Sequence, residues 1–361
     1  MKILVISNMY PSATDPVYGT FVKVFTKSVE KLNNKGTTKL VAIKGRSKMP
    51  SKLWKYLSFY LREFAALAFW RYDIVYVHTI TFPILPIKIV SLFCRLPLIF
   101  NTHGTDLLGT ARSTQLLRRL ARHTVGKALA IVSPSEYFKE HIKEFLPDYP
   151  SEKIFVSPSG GVDTSLFRPS PKEETGITTI GYVSRIDHGK GWNLFIEAIA
   201  NLTKDGYKIK AIMVGRGSEE HLLKEAIKRY GLENTISYIG PVSHDKLPKI
   251  YNRFDIFTFA TTNATESLGL VGIEAMACGV PVIGSNFAGP KCYIADGVNG
   301  YLFRKGDATD LTLKLKKYLN STPEEKNLLA NGARRTAENY DTNAIMTKLF
   351  HFIEETAIKN K

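Results

Sequence analysis

The chain has 361 residues, more than one ordinary hydrophobic core accommodates and enough for two domains. With 44% hydrophobic and 23% charged residues, it is not an intrinsically disordered chain. Its three cysteines, Cys94, Cys278 and Cys292, are widely spaced and form no CxxC pair. They exclude a disulfide scaffold and a thiol-rich metal site, and they fit a reducing compartment.

The formal net charge of +16 is unevenly placed. Met1 to Ala130 holds 20 Lys and Arg against 5 Asp and Glu; the remainder holds 29 against 28. Such asymmetry predicts an anionic partner for the first third of the chain. From Lys44 to Arg71, basic residues alternate with Trp54, Tyr56, Phe59, Tyr60, Phe64, Phe69 and Trp70. That mixture suits an interfacial helix at lipid headgroups, and equally a solvated basic loop followed by a core helix. Nucleic acid binding has charge behind it but no motif, so none is expected.

Taken in order, MKILVIS reads as a strand from Lys2 to Ser7, not as a secretory signal. A helix is expected over Thr20–Leu32, then strands over Lys39–Ile43 and Ile74–His78. Ile80 to Phe100 is very apolar, but Lys88, Arg95, Pro83, Pro86 and Pro97 interrupt it, so it cannot cross a membrane as one span of ~20 residues. It reads as a helix and then a buried strand at Leu98–Asn101, with another strand at Ala128–Ser133. A second series follows: strand Thr178–Val183, helix Trp192–Leu202, strand Lys210–Val214, helix Ser218–Tyr230, and strands Ile236–Ile239 and Ile256–Phe259. Strands alternating with helices predict parallel sheets covered on both faces. Two series predict two Rossmann-like α/β domains, joined through Pro158–Thr178. Ligands of such sheets bind beyond the carboxyl ends of the strands.

Two loops there carry chemistry. ATESLGLVGIEAMACGVPVIGS (264–285) places Glu266 before a helix that starts near Leu270, and Glu274 one turn inside it. The unpaired amides at such a helix start suit a phosphate, and Glu274 suits a vicinal diol such as ribose. Gly279 and Pro281 end the helix before a strand at Val280–Gly284. GYVSRIDHGKGWNLFIEAI (181–199) sets Arg185 and Lys190 in a Gly-rich loop that opens a helix. A guanidinium fork and a point charge together suit a diphosphate. His103, in FNTHGTDLL after a predicted strand, is a candidate functional histidine; His78 is a weaker one, and His188 is expected to face solvent.

SRIDHGKG followed by the E-x7-E segment resembles the family 4 glycosyltransferases of the GT-B fold. SGGVDTSLFRP (159–169), VGRGSEE (214–220) and ISYIGPVSHDKLPKIYNRFDIF (236–257) resemble further segments of that family in the same order, the last lining its nucleobase pocket. The resemblance spans nearly the whole chain. It implies two Rossmann-like domains with parallel sheets facing an interdomain cleft: residues 1–168 on the acceptor side and 169–342 for the donor. A C-terminal helix at about 343–361 is expected to pack back on the first.

The resemblance further implies a retaining, metal-independent sugar transfer from a nucleotide-diphosphate donor to a hydroxyl, of the bacterial surface-polysaccharide type. Arg185 and Lys190 would bind the diphosphate, Glu274 the ribose and Glu266 the donor sugar, as a contact and not a nucleophile. The amides around Gly269, Leu270 and Val271 would cradle phosphate, with Gly19 close by. His103 would lie near the reacting carbon, with Tyr18 and Thr20 on the acceptor side and Asp106 either there or orienting His103. No cofactor is expected, because the nucleotide sugar is itself a substrate, and no metal, because the chain has no Asp-x-Asp pair and Arg185 and Lys190 already serve the phosphate. The basic first domain suggests a glycan or lipid-linked acceptor and a cytoplasmic enzyme docked on the inner membrane face through Lys48, Lys52, Lys55, Arg62 and Trp54. The rivals are a nucleotide-sugar epimerase on the same fold and a catalytically idle binding protein. A dinucleotide oxidoreductase is disfavoured, since the first strand leads into NMYPSATDPVYG and not G-x-G-x-x-G.

Overall fold

A computed structural model describes residues 1–15, 18–46, 49, 51–171 and 176–360. It contains two parallel six-stranded sheets. The first is formed by β1 (Lys2–Tyr10), β2 (Thr37–Lys44), β3 (Ile74–His78), β4 (Leu98–Asn101), β5 (Ala130–Ser133) and β6 (Ile154–Val156), in the order β2-β1-β3-β4-β5-β6. The second is formed by β7 (Thr178–Val183), β8 (Ile209–Val214), β9 (Ile236–Gly240), β10 (Ile256–Phe259), β11 (Val282–Ser285) and β12 (Gly300–Phe303), in the order β12-β11-β10-β7-β8-β9.

The central strands are unbroken apolar runs because helices cover both of their faces. Ile3 to Ile6 and Ile74 to Val77 are wholly buried. On one face of the first sheet lie Phe59, Ala66 and Leu67 of helix Ser51–Phe69. On the other, helix Thr342–Lys359 sets Met346, Leu349 and Ile353 against Ile3, Val5 and Tyr76. The chain therefore divides into a unit of Met1–Gly161 with Asn343–Lys361, and a unit of Val162–Thr342. Residues 162–168 go with the second unit and not the first: Val162 bridges to Asp341, and Phe167 is fully buried in that unit's core. Within the expected linker, residues 172–175 lie outside the described ones.

The expected elements lie where the sequence puts them, with ends displaced by a few residues; β1, for example, runs on to Tyr10. Two edge strands were not expected. Ile154–Val156 has only three residues and Gly300–Phe303 starts with a glycine, so neither shows enough periodicity to be distinguished from loop.

Helix Ser51–Phe69 also buries a carboxyl group. Glu63 is fully buried, and neither of its oxygens has a hydrogen-bond partner among the described residues. Burial pushes it well above the ordinary glutamate value of 4.5, so the folded state retains a proton that the unfolded chain releases. Its contribution to stability is present below that ordinary value and is lost as pH rises toward the folded value. We expect Glu63→Gln to remove this pH dependence, so that its melting temperature gains on the wild type between about pH 5 and pH 7. Parallel melting curves for the two proteins would contradict this.

Candidate active site

In an open parallel sheet the crevice lies where successive crossovers depart in opposite directions. In the second sheet that point is between β7 and β10, which are neighbours with β8 and β9 on one side and β11 and β12 on the other. The loops after these two strands interlock. The Thr262 amide donates to the Gly189 carbonyl at 2.9 Å. Gly191 has φ +75°, and a Cβ there would collide with the Ala260 carbonyl. Only glycine admits both the conformation and the approach.

This interlock brings Lys190 to Glu266. Lys190 Nζ donates to Glu266 Oε2 at 2.5 Å, with the two side chains only 13% and 16% exposed. Arg185 is not part of that pair. Its side chain is 69% exposed and its Nη1 lies 2.7 Å from Asp187 Oδ2. Hydrogen bonds from Ser218, with the Arg185 charge adding less, hold Asp187 below the usual carboxylate range.

Helix Leu270–Ala277 begins directly after this loop. Gly269 precedes it with φ +79°, where a Cβ would meet the Phe259 ring. The amides of Leu270 and Val271 lie in the first turn and have no intrahelical carbonyl to bind. Inside the helix, Glu274 is buried and both its oxygens are engaged. Tyr251 Oη donates to Oε2 at 2.9 Å, and Oε1 lies 3.0 Å from His244 Nε2. His244 packs edge-on against Phe167, with ring centroids 5.1 Å apart. Its hydrogen bond to Glu274 raises its pKa, and burial pushes Tyr251 up.

The first sheet reverses between β1 and β3. After β1, Gly19 has φ +73° and its would-be Cβ lies 2.8 Å from the Met9 carbonyl carbon. Tyr18 Oη donates to the Asn8 carbonyl at 3.2 Å, and exposed Thr20 opens helix Thr20–Leu32. After β3, the buried Thr79 adopts φ +73°, a rare state for a β-branched residue. Its hydroxyl donates to Asn8 Oδ1 at 3.3 Å, so this loop is anchored on β1. After β4, His103 Nε2 lies 3.0 Å from His78 Nδ1. Burial depresses both imidazoles, His103 to about 3. Asp106 is buried, and its oxygens accept from the amides of His103 and Ile80 at 3.0 and 3.1 Å. Through these amides it fixes the loop that carries His103.

The sequence-derived residues thus gather on each unit around its own switch point. Sequence reasoning missed Asp187 beside Arg185, and His244 and Tyr251 beside Glu274. His244 and Tyr251 lie in the segment 236–257 already noted for its resemblance, which was the only signal for them. His188 is 99% exposed, as expected. Among the described residues no group of three His, Cys, Asp or Glu is placed to hold a metal ion.

Because Lys190 and Glu266 are mostly buried, removing one partner strands the other's charge. We expect Lys190→Met to lower the melting temperature by about 3–8 °C, and Lys190→Met with Glu266→Gln to recover much of that loss. Additive losses in the double variant would show that the pair is not coupled.

Two family profiles match the chain in succession: "Glycosyltransferase Family 4" over residues 19–166 and "Glycosyl transferases group 1" over 163–335. Among curated proteins, a D-inositol 3-phosphate glycosyltransferase of Segniliparus rotundus is 27% identical over 276 residues, 71% of this chain and 60% of that one. The capsular polysaccharide biosynthesis glycosyltransferase CapM of Staphylococcus aureus is 29% identical over 171 residues, 47% of this chain and 44% of that one. The match to each therefore spans less than two thirds of the relative's length. Among solved structures, Anabaena HepE in complex with UDP superposes with a TM-score of 0.76, at 20% identity over 98% of this chain and 100% of that one. The fold is the GT-B fold, and the chain belongs to glycosyltransferase family 4.

Proposed function

We propose that this glycosyltransferase moves a sugar, with retention, from a nucleoside diphosphate to a hydroxyl of a lipid-linked or surface-polysaccharide glycan. The observation that carries the donor assignment is the second unit's switch point. There Lys190, Glu266, the first turn of helix Leu270–Ala277 and Glu274 follow one another. In this reading Glu274 accepts from the ribose hydroxyls through its remaining lone pairs, with His244 and Tyr251 holding it in place. Lys190 exchanges part of its bond with Glu266 for a diphosphate oxygen. Glu266 then turns to a hydroxyl of the donor sugar. Arg185 swings from Asp187 to the departing phosphate.

The transition state gathers positive charge on the sugar and negative charge on the leaving diphosphate. Lys190, Arg185 and the amides of Leu270 and Val271 oppose the negative charge, the amides being already fixed at the helix start. They provide positive charge without a divalent ion, so we assign a metal-independent reaction. His103 contacts the transferred sugar, Gly19 lies close to the donor phosphate, and Tyr18 and Thr20 belong to the acceptor side. The solved relative holds UDP and the curated relatives are named for glycosyl transfer, which supports this reading over an epimerase or an idle binding protein.

Membrane docking of the first unit is part of the proposal, with amended residues. Trp54 and Leu53 are 71% and 65% exposed beside exposed Lys52, an amphipathic tip suited to anionic headgroups. Lys55 instead donates to the carbonyls of Lys44 and Gly45, and Arg62 to that of Ala42, so both are tied to β2. Lys48 lies outside the described residues. No helix among the described residues is long and apolar enough to cross a membrane.

A thermal-shift panel of UDP, GDP, ADP and their common sugars tests the donor assignment. We expect one nucleotide to raise the melting temperature with or without EDTA, and Glu274→Ala to weaken it roughly 10- to 100-fold. A flat panel would overturn the donor site, and a shift that requires Mn²⁺ would overturn metal independence. For docking, we expect the protein to sediment with anionic vesicles and Trp54→Ser with Lys52→Glu to lose most of that binding. Equal sedimentation with neutral vesicles would refute it.

A further inference from the structure

The imidazoles of His78 and His103 share one hydrogen bond, His78 Nδ1 to His103 Nε2 at 3.0 Å, with their planes 20° apart. A neutral imidazole carries one proton, so one ring must donate through that bond and the other accept. Two arrangements are possible. They differ in what each ring offers at its second nitrogen.

The surroundings of His78 distinguish them. Its Nε2 is buried without a hydrogen-bond partner among the described residues. The nearest other rings, Phe25 and Tyr76, stack on one another with centroids 4.2 Å apart, and their centroids are 4.9 and 5.1 Å from that of His78. Both cross the His78 ring steeply, at 83° and 64°, and neither ring offers a hydrogen-bond partner to Nε2. The remaining ring, Phe21, is farther away at 6.0 Å. An N–H at Nε2 would be a buried donor with no acceptor, which folded proteins bear more rarely than a buried acceptor with no donor. A lone pair in that place is the better fit.

We infer that His78 is a positioning residue: it donates Nδ1–H to His103 Nε2 and so obliges His103 to carry its own proton on Nδ1. His103 Nδ1 has no partner among the described residues, and the ring is half-buried. It can therefore only donate to a ligand there, to an oxygen lone pair of a bound sugar, and cannot accept from a hydroxyl. Burial keeps both rings neutral, so no imidazolium form supplies that donor in its place. The consequence for ligand binding rests on the reading that gives His103 a sugar contact.

The test is a long-range proton–nitrogen correlation spectrum of the full chain labelled at histidine, near pH 7. His103→Asn and His78→Asn assign the two rings among the eight histidines. We expect protonated Nδ1 and unprotonated Nε2 on both rings of the wild type. In His78→Asn the amide takes the place of the Nδ1 donor, and His103 should keep its pattern. In His78→Leu the donor is gone, and the Nδ1-protonated form of His103 should lose its majority. A wild-type His103 protonated at Nε2, or a His103 pattern unmoved in His78→Leu, overturns the inference. Should His78→Leu not fold, the wild-type spectrum alone still decides. The readout is a ring proton, so it is separate from the sugar-contact reading, whose failure would show as unchanged turnover in His103→Ala with the donor selected by the thermal panel.

Discussion

Lys190 and Glu266 come from loops 76 residues apart in sequence, and the order of strands is what makes them neighbours. A parallel sheet whose crossovers reverse between β7 and β10 leaves the two departing loops side by side at the carboxyl edge, with nothing from the sheet between them. A mostly buried cation there needs a fixed anion, and a mostly buried anion needs a fixed cation. Each supplies the other's requirement. In the proposed donor complex the pair would part, the diphosphate and sugar bringing the counter-charge and hydroxyls that the two side chains give up.

The first sheet repeats the arrangement with different chemistry. Its reversal between β1 and β3 places Tyr18, Gly19 and Thr79 on adjoining loops against Asn8 of β1, and the loop after β4 adds His103. Burial keeps His78 and His103 neutral, and the buried Asp106 is held by the amides of His103 and Ile80. The second unit's switch point carries the Lys190–Glu266 pair, whereas the first unit's histidine pair is uncharged.

Much of this was legible in the chain. Apolar runs with helical spacers specified two parallel sheets, because strands covered on both faces cannot hide their hydrophobicity in alternation. The glycines at 189, 191 and 269 marked turns that require positive φ or close backbone approach. Glu266 and Glu274 stood out by their spacing about a helix start. The short edge strands Ile154–Val156 and Gly300–Phe303 did not, since a few residues cannot establish a period.

What the sequence determined by itself is therefore everything that depends on local pattern: element type, the two-sheet class, the loops that carry chemistry and the family. Only the tertiary structure decided pairing. It gave Lys190 to Glu266, Arg185 to Asp187, both oxygens of Glu274 to His244 and Tyr251, and His103 to His78. It also turned Asp106 inward and tied Lys55 and Arg62 to β2. The physical reason is that a side chain's partner is whatever the fold brings within about 3 Å, a distance set by strand order and loop conformation. Spacing along the chain carries no record of it.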